Sequence, residues 1–154
     1  MSGKTLIVPA LAIEQTPGRR LFSFAVDGKQ LPSFAAVSRV KRDALHELAG
    51  YQRGESLSHI KTIQKYLESA DAILPNALVV AFDSRVRFES DAGADEADGA
   101  ALSGRLIIPV DDRQEEHEKP GWIVDGQQRC AAIRDADVVQ FPVYVTAFIT
   151  HSVA

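Results

Sequence analysis

The residues best suited to chemistry lie together near the end of the sequence, in the segment 125–129, Asp-Gly-Gln-Gln-Arg. This segment follows the short apolar run 122–124, which predicts a strand, and precedes residues 128–136, which predict a helix. A glycine at such a junction permits a tight turn and a close approach of a ligand to the backbone. The free N–H groups of the first helical turn then favour an anion. The pattern therefore predicts a phosphate-binding turn.

Each residue of this segment can contribute to phosphate binding. Gly126 permits the turn, Arg129 supplies a planar bidentate donor, and Gln127 and Gln128 supply amide donors. Asp125 can accept a hydrogen bond from a ribose hydroxyl, hold Arg129 in place or help to bind a metal. We expect Asp125 and Arg129 to be the catalytic residues. The simplest alternative is an Asp-Gly turn in which the aspartate only caps the helix.

The segment matches neither of the two common phosphate-binding motifs. It lacks the Gly-Lys-Ser/Thr ending of a Walker loop, and its single glycine does not make a dinucleotide fingerprint. A phosphate site here would therefore have to depend on the helix start and on Arg129.

Patterns in the rest of the chain predict an α+β fold, with a mixed sheet and helices that flank the phosphate turn. Apolar or alternating runs predict strands at 5–13, 21–26, 77–82, 105–110, 122–124 and 141–149. Helical spacing predicts helices at 43–49, 56–69 and 128–136. Pro9 suits an edge strand, whereas the continuous run 77–82 indicates a strand covered on both faces. Residues 84–88 are predicted to extend that strand, residues 27–28 to form a turn, and residues 91–103 to form a surface loop.

Size and composition indicate an ordinary globular domain. The chain has 154 residues, of which 45% are hydrophobic and 25% charged, enough for a proper core. We expect residues 1–154 to form a single domain that is the N-terminal part of a longer protein. No apolar run reaches the roughly 20 residues of a membrane helix, and the N-terminus lacks a secretory signal. We therefore expect a cytoplasmic protein with no membrane partner.

Charge and cysteine content limit the kinds of partner and chemistry that the sequence supports. The formal net charge of -4 does not by itself indicate a nucleic-acid binder. However, basic residues are concentrated in 39–65 and acidic residues in 89–118, so a local basic face for DNA stays open. Cys130 is the single cysteine, which excludes an internal disulfide and favours buried packing over nucleophilic chemistry. No protein metal site is predicted, and an oligomer is compatible with the sequence but not specified by it.

Three further sets of polar residues have ordinary alternative explanations. Asp83 and Arg85 follow a predicted inner strand, where functional residues often lie, but a turn with a surface ion pair explains them equally well. Asp111 and Asp112 could bind Mg²⁺ together with nucleotide phosphates, although a solvated acidic loop is the simpler interpretation. His59 is either a partly buried helix residue or a general base.

The segment 125–129 resembles the Asp-Gly-Gln-His-Arg signature of the DGQHR-domain family, which includes DndB of DNA phosphorothioation and DpdB of DNA 7-deazaguanine modification. The resemblance begins at about Leu6 and covers essentially the whole chain, with agreement also in the segments 50–53, 59–60, 66–67 and 75–82. Gln128 stands where the commonest form of the signature has histidine, so no role for that histidine is carried over. This substitution and the long acidic loop favour the DpdB-like branch.

The DGQHR family is in turn similar to the ParB/sulfiredoxin fold, in which a Gly-x-x-Arg turn at a helix start holds nucleotide phosphates. Gly126 and Arg129 match that spacing, and Gln52 and Arg53 resemble a glutamine–arginine segment that lines the same pocket. The resemblance implies a ParB/sulfiredoxin-like fold that binds ATP with Mg²⁺. It further implies slow ATP hydrolysis in the service of DNA modification, with DNA bound directly or through a modifying partner enzyme.

Three other functions stay open. A DndB-like regulator of DNA phosphorothioation would bind duplex DNA through the basic stretch 39–65, with a strong dependence on salt. A nuclease would need an acidic metal cluster, and the sequence offers no convincing one. A scaffolding role would apply if neither nucleotide nor DNA binds.

Overall fold

The computed structural model describes residues 4–37, 57–91, 100–111 and 113–150. The strands within them are β1 (Lys4–Thr16), β2 (Arg19–Asp27), β3 (Ala35–Ala36), β4 (Leu78–Phe82), β5 (Arg87–Ser90), β6 (Leu102–Val110), β7 (Gly121–Asp125) and β8 (Pro142–Ile149). The described helices are α1 (residues 57–67), α2 (Gln127–Asp135) and two 3₁₀ helices (Gly28–Ser33 and Glu116–Glu118). These elements confirm the predicted α+β class. No helix among the described residues is long and apolar enough to cross a membrane.

The strands form one eight-stranded mixed sheet in the order β3-β7-β4-β8-β2-β1-β6-β5. The β3/β7 and β4/β8 pairs are parallel, and the other neighbouring strands are antiparallel. On the central β4, Val80 and Ala81 are adjacent and therefore point to opposite faces, yet neither is more than 1% exposed. The prediction that this apolar run is covered on both faces is confirmed.

Much of the core is built from alternate strand positions. In β2, Phe22, Phe24 and Val26 are buried, whereas the residues between them are exposed. The ring of Phe82 on β4 stacks on Phe24, with centroids 6.3 Å apart, and packs at 6.1 Å from the ring of Phe34. Because each such ring removes a large apolar area from water, these contacts join the two halves of the sheet.

The prediction that β1 is an edge strand is wrong, because β1 lies between β2 and β6. Pro9 is tolerated there because the two pairings are offset along the strand. Pro9 pairs with Arg105 of β6, whereas the pairing of β1 with β2 begins only at Ala10. The missing N–H of the proline therefore removes no hydrogen bond from the ladder to β2.

Several other predicted segments differ in detail. Residues 84–88 do not extend β4, because the chain turns there, with the Val86 N–H donating to the Asp83 carbonyl at 3.2 Å, and then forms the separate strand β5. The predicted turn at 27–28 begins a 3₁₀ helix, and β3 was not predicted. The end of the predicted loop 91–103 already belongs to β6. The predicted helix 43–49 lies outside the described residues.

Asp27 joins the 3₁₀ helix that follows β2 to the segment that leads into β8. Its Oδ1 accepts hydrogen bonds from the backbone N–H groups of Lys29 at 3.0 Å and Phe141 at 2.9 Å. We expect Asp27→Ala to lower the free energy of unfolding by about 1–3 kcal/mol, because a half-buried Phe141 N–H loses its acceptor. Asp27→Asn retains an acceptor oxygen and should lose less. Urea unfolding of both variants measures this difference, and equal losses would contradict it.

Candidate functional site

The phosphate turn is placed by Gly126, which stands between β7 and α2. Its φ of 100° and ψ of 22° lie in the left-handed region, which favours glycine. A Cβ atom at this position would also overlap the side chain of Leu78, which is 1% exposed at the start of β4. Both the backbone conformation and the packing therefore require glycine, as the sequence predicted for a tight strand-to-helix turn.

The start of α2 has no side-chain cap. The first intrahelical hydrogen bond is donated by the Cys130 N–H to the Gly126 carbonyl at 2.8 Å. The N–H groups of residues 127–129 precede that bond, and the capping residue, Gly126, has no side chain that could accept from them. Because these N–H groups and the helix dipole carry partial positive charge, they favour an anion at this end of α2.

Arg129 lies beside this helix start, and its side chain is held by the segment that precedes β4. Its Nη1 donates a hydrogen bond to the Asn76 carbonyl at 2.9 Å, and its side chain is 21% exposed. Its Nη2 is 4.0 Å from Asp125 Oδ2. Among the described residues the bond to Asn76 is the one hydrogen bond found for the guanidinium, which has five N–H donors and lines the cleft. The guanidinium is thus held in place by the Asn76 carbonyl at the edge of the cleft.

The other predicted site residues have different surroundings. The Asp125 side chain is 73% exposed, so it lies at the rim and is held only loosely by Arg129. The Gln127 amide donates to the Ile123 carbonyl at 3.2 Å and to the Val124 carbonyl at 3.1 Å, both on β7. We therefore expect Gln127 to offer an anion its backbone N–H rather than its side chain. The Gln128 side chain makes no hydrogen bond within the described part of the chain.

All five residues of the turn line one cleft, whose volume is about 730 Å³. The facing wall is α1, together with the segment that follows it. Ile60 and Ile63 of α1 are half-buried against the core, and Tyr66 is 43% exposed. The lining residues outside the turn and α2 are Val37, His59, Ile60, Thr62, Ile63, Tyr66 and Leu74. The cleft therefore combines a polar wall of anion-binding groups with a largely apolar wall.

The position of α1 relative to α2 is fixed at the far end of α2. Gln64 Nε2 donates to the Asp135 carbonyl at 3.1 Å, and Glu68 Oε2 accepts from the Asp137 N–H at 2.8 Å. Leu67 on the same helix is buried in the core. These contacts confirm the amphipathic helix predicted at 56–69, with Lys61 and Lys65 exposed. They also hold its apolar side at a set distance from the start of α2.

Sequence reasoning missed half of this site. Gln52 and Arg53, predicted to close the pocket, lie outside the described residues. The apolar spacing of α1 indicated only a core-facing helix, and the tyrosine at one of those apolar positions was the available signal for a ligand wall. The role of Asn76 was invisible, because it acts through its backbone carbonyl.

Local contacts explain three of the remaining polar candidates, Asp83, Arg85 and Asp111. Arg85 Nη2 is 2.7 Å from Asp83 Oδ2 and also donates to the Glu118 carbonyl at 2.8 Å, which confirms the surface ion pair. The hydrogen bond that Arg85 donates to the Asp83 carboxylate raises the pKa of Arg85. Asp111 Oδ1 accepts from the Arg113 N–H, and Asp112 lies outside the described residues. His59 is exposed at the cleft. The described residues hold no group of three or more His, Cys, Asp or Glu side chains placed to bind a metal.

Cys130 is buried, as the sequence indicated, with 2% of its surface exposed. Burial raises the pKa of its thiol to about 11. At pH 7.5 roughly one thiol in 3,000 would be ionised by that pKa, so we expect labelling by a thiol-reactive reagent to be very slow. Because the unfolded thiol ionises at lower pH, the stability that Cys130 contributes should fall as pH rises from about 9 to about 11. Labelling rates of Cys130 in buffer and in urea measure how far the fold protects the thiol, and equal rates would contradict the predicted slow labelling.

The family model of DndB, described as DNA-sulfur modification-associated, matches residues 8–154, which include both walls of the cleft. No curated protein and no solved structure is significantly similar to the chain. The expected kinship with the ParB/sulfiredoxin fold and the expected closeness to DpdB therefore stay predictions. The chain belongs to the DndB family of DNA-sulfur modification-associated proteins.

Proposed function

We propose that this chain binds ATP with Mg²⁺ in the cleft and hydrolyses it slowly, as part of a DNA-modification system in the cytoplasm. The observation that carries the proposal is that one cleft collects the uncapped start of α2, the held guanidinium of Arg129 and the exposed carboxylate of Asp125. Backbone N–H groups at a helix start and a bidentate arginine are the usual ligands of phosphate groups.

The proposed chemistry depends on position and charge. The N–H groups of residues 127–129 and the guanidinium of Arg129 would hold phosphate oxygens and stabilise the charge that develops on them during phosphoryl transfer to water. Asp125, at the rim, would orient Arg129 or a Mg²⁺-bound water. We propose that Gln52 and Arg53 close the pocket from the other side.

Calorimetric titration of ATP and Mg²⁺ into the chain tests the binding. Saturable one-site binding supports the proposal, and its absence from the folded chain would overturn it. Phosphate release by wild type and Asp125→Asn then separates binding from hydrolysis. We expect the variant to retain ATP and to lose most turnover. Asp91→Asn is the matched control, because exposed Asp91 follows β5, the strand at the sheet edge remote from β7.

The modification served by this activity is proposed to be phosphorothioation, because the family match is to DNA-sulfur modification. The 7-deazaguanine assignment is the competing proposal, and it depends on the Gln128 substitution and the acidic loop. Mass spectrometry of nucleosides from cells with and without the gene distinguishes the two. Loss of the sulfur-containing dinucleotide supports the first, and loss of the deazapurine nucleoside supports the second.

A second candidate, a DNA-binding regulator of phosphorothioation genes, is compatible with the same family match. In the described part of the basic stretch, Lys61 and Lys65 are exposed on α1. If both contact phosphates, the double Lys→Gln variant should reduce the salt-dependence slope of DNA binding by about 2. Duplex binding that needs no nucleotide would favour this function over the first.

A further inference from the structure

Tyr66 combines exposure with rigidity in a way that the phosphate turn does not explain. The residue is 43% exposed and lines the cleft. Its hydroxyl accepts a hydrogen bond from the Ile73 N–H at 2.9 Å and donates one to the Ile73 carbonyl at 3.0 Å. The hydroxyl is thus satisfied by the backbone at the far end of the ring. The ring is therefore held in one orientation, while part of its surface stays open to the cleft.

Apolar residues accompany Tyr66 in this wall of the cleft. Ile63 lies one turn earlier on α1, and Leu74 follows directly after the residue that binds the tyrosine hydroxyl. Thr62 is also in this wall, but its hydroxyl already donates to the Ser58 carbonyl at 3.1 Å. Phosphate alone would gain nothing from such a wall, because apolar surface cannot replace the hydration of an anion. A flat aromatic ligand would gain by covering it.

We propose that the wall formed by Ile63, Tyr66 and Leu74 binds the base of a nucleotide, with the base stacked on the ring of Tyr66. The ligand class of the cleft is then a nucleoside polyphosphate, rather than a free polyphosphate or the phosphodiester backbone of DNA. This inference rests on the proposed function, since it assumes that the phosphates occupy the turn at residues 125–129. The two walls belong to one cleft of about 730 Å³. A single ligand that contacts both walls is therefore the simplest occupant.

The test compares ATP with tripolyphosphate, which has the phosphates but no base, each titrated with Mg²⁺. Wild type should bind ATP about 5- to 100-fold more tightly, the range expected for stacking of one base on an aromatic ring. Tyr66→Leu should abolish that difference by weakening ATP binding, and should change tripolyphosphate binding by less than about twofold. Tyr66→Phe keeps the ring but loses both hydrogen bonds to Ile73, so its ATP affinity should lie between the two.

Tyr144→Leu is the matched control, because Tyr144 is 62% exposed on β8 and does not line the cleft. It should leave both affinities unchanged. Equal binding of ATP and tripolyphosphate by wild type would overturn the base site while leaving the phosphate site in place. A wild-type preference for ATP that Tyr66→Leu does not reduce would overturn the role of Tyr66. If neither ligand binds, the proposed function itself fails. The wild-type comparison needs no variant, so it stays decisive even if Tyr66→Leu does not fold.

Discussion

Arg129→Ala is expected to weaken ATP binding by about 10- to 100-fold, the effect of losing a charge-assisted phosphate contact. The effect is large because the guanidinium is already held by the Asn76 carbonyl and therefore needs little ordering when phosphate arrives. Loss of the Arg129 side chain should cost little stability, since Asn76 is exposed and its carbonyl can bind water instead. Calorimetry with ATP and with tripolyphosphate measures the change, and both ligands should be weakened alike.

Arg134→Ala is the matched control on the same helix. Arg134 lies in the last turn of α2, where its guanidinium is hydrogen-bonded to the Asp135 carboxylate at 3.0 Å, and it does not line the cleft. Its removal should change ATP affinity by less than about twofold, since the charge lies near the opposite end of the helix. Equal losses in the two variants would mean that Arg129 acts only through general charge, and the phosphate turn would lose its support.

Gly126→Ala is expected to lower the free energy of unfolding by about 2–5 kcal/mol. A left-handed backbone costs an alanine about 1–2 kcal/mol, and overpacking against a buried side chain costs about 1–3 kcal/mol more. The new methyl would overlap Leu78 and would lie 3.1 Å from Nη2 of Arg129, so ATP binding should also fall. Urea unfolding and calorimetry measure the two effects.

Gly18→Ala separates the backbone cost from the packing cost. Gly18 also has a positive φ, 79°, but a Cβ there would meet nothing within 4 Å. This variant should therefore lose only the backbone cost of about 1–2 kcal/mol and should bind ATP normally. If both glycine variants lose the same stability, the contact with Leu78 contributes nothing.

A double variant checks the contact directly. Leu78→Ala makes room for a methyl group at position 126, so the combined loss in Gly126→Ala/Leu78→Ala should be about 1 kcal/mol or more below the sum of the single losses. Strict additivity would show that backbone conformation alone accounts for the effect of Gly126→Ala.

Local sequence patterns were sufficient for the elements that depend on local physics. The buried run at 77–82, the amphipathic helix at 56–69 and the strand–turn–helix around Gly126 were all predicted and are all present. Periodicity and turn chemistry report directly on burial and backbone conformation within a few residues, which is why these predictions held. The contacts of Arg129 and the exposure of Asp125 were beyond the same reasoning, because they depend on residues distant in sequence.

Strand order, in contrast, could not be predicted from local sequence patterns. Pro9 suggested an edge strand, but the offset between the pairings of β1 with β2 and with β6 lets an interior strand carry a proline. The short β3 was likewise set by a partner far along the chain, β7, and β5 is a separate strand because it pairs with β6. A single strand's composition cannot encode which neighbour it meets or in what register.

The sequence by itself determined that this chain has a glycine turn at a helix start with an arginine three residues on, because both features are local. Only the tertiary structure decided that the apolar side of α1 would face this turn and that Tyr66 would be held open beside it. Gln64 and Glu68 bind the far end of α2, and Ile73 binds the tyrosine hydroxyl. These contacts depend on where separate elements pack, since the hydrophobic effect that brings them together is not directional and leaves the final alignment to packing and specific hydrogen bonds.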